Sequence, residues 1–346
     1  MPEFHPSNPL VTGIDPAVLD AQREANAALS EFPHPDPRTP EGLQMLRTLT
    51  ANNVVGTKLS PADRVVTTSR GDIRLHVFVP DGPVRGVMLD LHGGGWAAGA
   101  PEDDDTFNDQ MARACQLAVA GPEYRLVPEA TIAGQIAECV AVAEWLAANA
   151  TAEFGSDTLF IGGISAGAYL AAATLLQLRA AGSPAFAKFA AVRLDCGPYD
   201  LGMTASAYLP DSHSPVLPHY WLVSFVDMGL PGYSASQRRT PELSPMLNDL
   251  SGLPPALFTV GNLDPLRDES VLMAQRWQLA GSPADLDVWP EGDHAFSNMA
   301  TPLGDLAVAR TTSWITSILD QASPNPRAGQ PRPAPGHSRA RDHRAE

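Results

Sequence analysis

The sequence predicts an α/β domain whose mostly parallel sheet is covered by helices on both faces. From about residue 60 to residue 320, short apolar runs of strand length alternate with segments of helical periodicity. This alternation is typical of parallel sheets buried between helices. The chain has 346 residues, of which 44% are apolar and 18% charged, enough for one large domain with additions or for two modest domains.

Two helices are predicted before the first strand. Residues 1–15 look irregular. Residues 16–31 carry apolar side chains at helical spacing behind a proline that suits a first turn, and residues 41–53 follow after a proline-rich break. Because these helices precede any strand pattern, we interpret residues 1–55 as an N-terminal addition to the main domain.

The main domain, residues 56–321, is predicted to begin with a hairpin around Arg70-Gly71-Asp72. Residues 201–250 interrupt the later alternation, because they are rich in loops and aromatic side chains. The predicted strands cover 64–69, 73–80, 84–92, 117–126, 157–165, 191–199, 255–264 and 284–294, and the predicted helices cover 135–149, 166–182, 268–281 and 303–321.

Charge and cysteine content restrict the cellular setting. The formal net charge of −16 argues against nucleic acid and anionic membranes as main partners. Cys115, Cys139 and Cys196 are far apart, which favours buried thiols in a reducing compartment. No signal peptide and no apolar run of about 20 residues is visible, so we expect a cytoplasmic protein without a membrane span. Residues 322–346, with five prolines and five arginines, are expected to be a disordered tail.

One motif indicates a catalytic nucleophile. Gly163-Ile164-Ser165-Ala166-Gly167 has the form G-x-S-x-G, directly after an apolar strand and directly before a helix-forming run. That context is typical of a nucleophile elbow, in which the serine occupies a sharp turn that leaves no room for side chains two positions away. The alternative is an ordinary serine cap of a core helix.

A nucleophilic serine needs a base and a carboxylate that orients it, in the chain order Ser, acid, His. His294 follows a late strand, whereas His213 and His219 lie in the irregular aromatic region and His337 in the tail. Asp264 fits the acid best because it ends a predicted strand. Its rivals in sequence are Asp268, Glu269, Asp195 and Asp200.

Five motifs in one order identify a family that the chain resembles. The chain is similar to the hormone-sensitive-lipase-like branch of the α/β-hydrolase superfamily over roughly residues 60–320. It departs from that family at Ile164, Ala168 and 131–134, where the family has an acid, a glycine and a His-Pro-Phe-Pro run. The matching motifs are His92–Trp96, Glu123–Glu129, Gly163–Gly167, Asp264–Glu269 and Asp293–Phe296.

The resemblance implies an α/β-hydrolase fold with a mostly parallel eight-stranded sheet. It also implies a helical cap, built from residues 1–55 and an insertion around 201–250. The implied reaction is hydrolysis of short- to medium-chain carboxylic esters through an acyl-enzyme, with no metal and no organic cofactor. Homodimers are common among the enzymes it resembles, so a homodimer is a candidate assembly.

The site residues follow from this mechanism. We expect Ser165, His294 and Asp264 to form the triad, and backbone N–H groups of Gly94, Gly95 and Ala166 to form the oxyanion hole. His92 is expected to anchor the glycine loop. Candidate substrate contacts are Trp96, Tyr208, Tyr220 and Trp221.

Two other classes of function stay open at this stage. A serine-dependent amidase or acyltransferase would share the same triad chemistry. A non-catalytic small-molecule receptor on the same fold would lack the nucleophile or the base, and both are present here. The glycine run lacks the Lys-Ser/Thr that follows a phosphate-binding loop, so phosphate binding is discarded.

Overall fold

The computed structural model describes residues 3–5, 8–50, 56–208 and 214–322. The predicted disordered tail therefore lies outside the described residues except for its first position. Within the described part, no helix combines the length and the apolar composition needed to cross a membrane.

The N-terminal part contains two strands that the sequence analysis missed. These are β1 (Glu3–His5) and β2 (Asn8–Thr12), and they are followed by helices α1 (Pro16–Leu29) and α2 (Pro40–Thr50). The expectation of irregular structure is therefore wrong for residues 3–5 and 8–12. Helix α1 begins where predicted, because Asp15 accepts a hydrogen bond from the Ala17 N–H and Pro16 occupies the first turn.

The main domain alternates strands and helices as expected. Its elements are β3 (Ala62–Thr68), β4 (Gly71–Phe78), β5 (Gly86–Leu91), α3 (Asp105–Cys115), β6 (Leu117–Pro122), α4 (Ile132–Phe154), β7 (Leu159–Ile164), α5 (Ala166–Ala180), β8 (Phe189–Asp195), α6 (Ala205–Tyr208), α7 (His219–Gly229), α8 (Ala235–Arg238), β9 (Ala256–Gly261), α9 (Arg267–Leu279), β10 (Ala284–Trp289) and α10 (Pro302–Ala322).

The strands form one sheet in the order β1-β2-β10-β9-β8-β7-β5-β6-β4-β3. Strands β5 to β10 are parallel to one another, while β3 and β4 are antiparallel at one edge. The eight predicted strands are present, and β1 and β2 extend the sheet beyond them. Because β2 pairs with β10 at Leu10 and Val288, a homodimer could not use that stretch of the β10 edge.

Helices cover both faces of the sheet. On one face α4, α5 and α9 pack in the largest hydrophobic cluster, together with the apolar side chains of α7. On the other face α3 and α10 pack against Met88, Phe160 and Leu257 of the strands. Because strands β5 to β10 run parallel, their carboxyl ends meet at one edge of the sheet, where ligands bind in open α/β folds.

Candidate active site

Ser165 occupies the turn between β7 and α5 with a positive φ of 56° and a ψ of −122°. Such a conformation is uncommon for a residue with a side chain and is typical of strained functional turns. A Cβ added at Gly163 would collide with the Gly167 backbone, and one added at Gly167 would collide with the Leu91 carbonyl. The two glycines of the motif therefore let the turn pass close to neighbouring backbone.

The structure brings Ser165, His294 and Asp264 together. The Ser165 Oγ lies 2.8 Å from Nε2 of His294, and the other ring nitrogen, Nδ1, lies 2.9 Å from Oδ2 of Asp264. The second carboxylate oxygen of Asp264 accepts the N–H of Leu266 at 2.7 Å. Asp264 and His294 are both buried. This arrangement lets the carboxylate orient the ring and the ring accept the serine proton.

The charge state of His294 is set by two opposing effects. Burial disfavours the imidazolium, but the carboxylate of Asp264 outweighs it, and the pKa of His294 lies above its usual range. His92, also buried, has no such carboxylate in contact, and burial lowers its pKa to about 4. His294 is therefore suited to proton transfer, whereas His92 stays neutral.

The rival acids have other partners. Both carboxylate oxygens of Glu269 accept backbone N–H groups, at Tyr199, Asp200 and Thr204, and burial raises the pKa of Glu269 to about 8. Asp268 accepts the N–H of Ser206. These two acids hold the segment that follows β8 in place.

The other rival acids and histidines are also engaged outside the triad. Asp195 pairs with Arg193 at 2.9 Å, and Asp200 pairs with Arg239 at 2.9 Å. His219 bonds through Nδ1 to the carbonyl of Ala207, and His213 lies outside the described residues.

The glycine run forms a loop beside the serine. Gly94 and Gly95 have φ of 108° and 59°, a region that favours glycine. A Cβ added at Gly95 would lie 2.5 Å from the ring of Phe225. Ala166 is the first residue of α5, where a backbone N–H has no acceptor inside the helix. Gly94, Gly95 and Ala166 all line a cavity of about 280 Å³ that also exposes Ser165 and His294.

His92 contacts the backbone at the start of the glycine loop, in agreement with the anchoring role expected for it. Its Nδ1 lies 2.8 Å from the carbonyl oxygen of Gly93, and its ring stacks on Tyr124 with 4.2 Å between centroids. The Tyr124 hydroxyl donates to the carbonyl of His92 at 2.8 Å. These contacts hold the backbone that leads into the glycines.

The four predicted substrate residues separate into two groups. Trp96 and Trp221 line the cavity. Tyr208 and Tyr220 do not belong to its lining: they are 51% and 42% exposed, and their hydroxyls donate to the carbonyls of Gly202 and His34. As placed in the structure, these two tyrosines are separated from the cavity and act as surface contacts of the cap region.

Other lining residues were not predicted from the sequence. Leu46 and Thr50 come from α2, and Leu222 and Phe225 come from α7. The two helices thus wall one cavity although about 170 positions separate them in the chain. The one usable signal was helical spacing, since Trp221, Leu222 and Phe225 share one face at i, i+1 and i+4.

The described residues contain two groups with the spacing of metal ligands. The first group is Cys196 with Asp264 and His294, so its two stronger ligands already belong to the serine constellation. The second group is Asp63, His76 and Glu102, where the guanidinium of Arg74 contacts both carboxylates at 3.0 and 2.7 Å. A bound cation there would have to displace an arginine charge.

An elbow serine, a buried acid–base pair and a glycine loop at the carboxyl edge of a parallel sheet define a serine hydrolase architecture. Residues 88–298 match the family described as having the alpha/beta hydrolase fold, and the chain belongs to that family.

Among curated relatives, the chain is 30% identical to "Carboxylesterase NlhH" of Mycobacterium tuberculosis over 62% of this chain and 67% of the relative. It is 30% identical to "Arylesterase" of Saccharolobus solfataricus, over 68% and 72% of the two chains. A solved esterase from the bacterial hormone-sensitive lipase family superposes with a TM-score of 0.74, at 25% identity and over 88% and 99% of the chains. The resemblance stated from the motifs is confirmed.

Proposed function

We propose that this protein hydrolyses carboxylic esters by nucleophilic catalysis, with Ser165 as nucleophile, His294 as general base and Asp264 as the orienting acid. The observation that carries the proposal is the continuous chain of contacts from Asp264 through His294 to Ser165, 2.9 and 2.8 Å long, beside the glycine loop. The names of the relatives, carboxylesterase and arylesterase, support the same reaction class.

The reaction follows from these positions. His294 accepts the proton of Ser165 as Oγ bonds to the ester carbonyl carbon, and the carbonyl oxygen becomes an oxyanion. Backbone N–H groups of Gly94, Gly95 and Ala166 stabilise that charge. His294 then gives its proton to the leaving alcohol oxygen as the C–O bond breaks. Water deprotonated by His294 attacks the acyl-enzyme, and the acid product leaves as Ser165 regains its proton.

The acyl group is proposed to lie against the apolar side of the cavity. Leu46, Leu217, Trp221, Leu222 and Phe225 surround this side, and the enclosed volume is about 280 Å³. A space of this size favours short to medium acyl chains, because a longer chain must leave part of its apolar surface in water.

The test is a series of p-nitrophenyl esters from acetate to laurate, assayed with the wild-type protein and Ser165→Ala. Activity should fall with long chains and be lost in Ser165→Ala, while Ser69→Ala, a matched serine in the exposed turn after β3, should keep it. Absence of cleavage of every ester, or full activity in Ser165→Ala, would refute the proposal. Cleavage of p-nitroanilides at higher rates than esters would favour an amidase instead.

A further inference from the structure

A second cavity opens beside the catalytic one. Its volume is about 610 Å³, and it shares Asp103, Val216, Ala295 and Asn298 with the cavity that contains the serine. Ala295 directly follows His294 in the chain and Asn298 lies four positions after it, so the junction lies on the histidine side of the nucleophile. The two spaces therefore adjoin one another next to His294.

The two spaces differ in chemistry. The catalytic cavity is walled mainly by apolar side chains of α2 and α7. The second cavity is lined by α1, α3 and the start of α10, and it carries many polar groups. These polar groups are contributed by Asp103, Thr106, Gln110, Ser297, Asn298, Thr301 and Asp305.

The junction between the two spaces carries an acidic side chain and, in the part of the chain that the structure describes, no lysine or arginine. Among the described residues that line the second cavity, Asp103 and Asp305 are acidic, and lysine, arginine and histidine are absent. Burial raises the pKa of Asp103 to about 6, so this group is still ionised in neutral and alkaline solution. The junction therefore presents a fixed negative charge next to the reacting centre.

The neighbouring buried cation does not cancel this charge. Arg193 is already paired with two carboxylates, Asp90 at 3.1 Å and Asp195 at 2.9 Å. Asp104 is buried, and burial together with the neighbouring Asp90 raises its pKa well above the usual range, so Asp104 adds no fixed charge to the junction. One of its oxygens accepts from Asn298.

Proton transfer decides which part of the ester lies there. His294 must reach the leaving alcohol oxygen to protonate it, so the alcohol part lies on the histidine side of the scissile bond. We propose that the second cavity binds the alcohol part of the substrate and selects alcohols that carry an ammonium group. This inference rests on the proposed ester hydrolysis and adds the substrate class.

The experiment compares two esters of equal shape that differ in one charge. Butyrylcholine and 3,3-dimethylbutyl butyrate have the same acyl group, and their alcohols differ only in nitrogen against carbon. Their kcat/KM values are measured by titration of released acid, for the wild-type protein, Asp103→Asn, Asp305→Asn and Asp81→Asn. Asp81 is an exposed aspartate in the turn after β4, outside both linings, and serves as the matched control.

We expect the ammonium ester to be favoured by about 10-fold at low salt, because a charge near one or two carboxylates gains Coulomb energy that a carbon isostere lacks. The ratio should fall to about 3-fold or less in Asp103→Asn, fall less in the exposed Asp305→Asn, and stay unchanged in Asp81→Asn. It should also decrease as salt screens the field.

The outcomes separate the two proposals. Equal rates for both esters, or a ratio that the Asp103 and Asp305 variants leave intact, overturn the ammonium selectivity while ester hydrolysis stands. Cleavage of p-nitrophenyl esters without cleavage of either butyrate also overturns it. Failure on all esters overturns the proposed function itself. If Asp103→Asn does not fold, Asp305→Asn, on the exposed first turn of α10, decides the question.

Discussion

Replacing Asp264 with asparagine is the sharpest test of the assigned acid, because the structure fixes what the new amide would do. Oδ1 of Asp264 accepts the N–H of Leu266 at 2.7 Å, so the amide oxygen of an asparagine would stay there. Its NH₂ group would then face Nδ1 of His294, which lies 2.9 Å from Oδ2 in the present structure. A donor at that position favours the tautomer whose proton is on Nε2, and that tautomer cannot accept the proton of Ser165.

The expected loss in kcat/KM is about 10⁴-fold, equivalent to roughly 5 kcal/mol of barrier. The control is Asp268→Asn, because Asp268 accepts the N–H of Ser206 and is not bonded to the His294 ring. The kcat/KM of this variant should fall by less than about tenfold. Hydrolysis of p-nitrophenyl butyrate gives both values, and thermal unfolding shows whether each variant is folded. If folded Asp264→Asn keeps activity within tenfold of wild type, or if Asp268→Asn loses more, the assignment of the acid is wrong.

Three further predictions concern the loop and the base. Gly95→Ala would place a methyl group 2.5 Å from the Phe225 ring at a positive φ, so kcat/KM should fall by about 10²- to 10³-fold; unchanged ester kinetics would exclude Gly95 as a critical position. Because the pKa of His294 is raised and the base must be neutral, kcat/KM should rise with pH through a value above about 6.5, and a pH–rate profile with its acid limb below that would contradict the charge arrangement. His92→Ala removes the stack on Tyr124 and should lower kcat at least about tenfold without moving the acid limb, which the same profile checks.

The three residues proposed as the triad could be selected from the sequence because local sequence and topology agree at each of them. Ser165, Asp264 and His294 each follow an apolar strand, and parallel strands bring their carboxyl ends to one edge of the sheet. The prediction needed no knowledge of which strands are neighbours. The sequence favoured Asp264 over Asp268, four positions further on, because Asp264 ends a predicted strand, and the geometry agrees: Asp264 contacts His294 and Asp268 accepts the N–H of Ser206.

Helix α3 and strands β1 and β2 were not predicted, for different reasons. Helix α3 has apolar residues Phe107, Met111 and Cys115 at spacings of four, so a closer count of periodicity would have found it. Strands β1 and β2 gave no such signal, because they are short and their place in the sheet depends on pairing with β10, which lies some 280 residues away. Pairing at that distance leaves little trace in the local sequence.

The prediction that Tyr208 and Tyr220 line the substrate cavity did not agree with the structure, for a related reason. Tyr208, Tyr220 and Trp221 are all aromatic and lie close together in the sequence. Trp221 nevertheless lines the cavity, whereas the two tyrosines are exposed. The Trp221 Nε1 donates to the carbonyl of Pro35, so the N-terminal segment decides which face of α7 turns inward. The cavity wall therefore depends on both α7 and the N-terminal segment that contains Pro35.

The residue before Ser165 departs from the family pattern, and the polar contacts beneath the turn come from another residue. The family has an acid before the nucleophile, and here Ile164 packs among Cys196, Val260 and Val288. Polar support comes instead from Asp195, whose carbonyl accepts the N–H of Ser165 at 2.8 Å and whose carboxylate accepts the Ser297 hydroxyl at 3.0 Å. One residue on β8 therefore ties the nucleophile turn to the loop that carries the base.

Arg193 compensates the buried negative charge of Asp195 within strand β8. Its guanidinium pairs with Asp90 and Asp195 and lies 3.7 Å from the centre of the Phe107 ring. Buried ion pairs add little net stability, but removing one partner leaves an uncompensated charge that costs about 3 to 5 kcal/mol. Arg193→Met should therefore destabilise the fold and also misplace the His294 loop, whereas an isolated stabilising pair would affect the unfolding temperature alone. Measuring kcat/KM well below the unfolding temperature distinguishes the two, because only a positioning network lowers activity in the folded state.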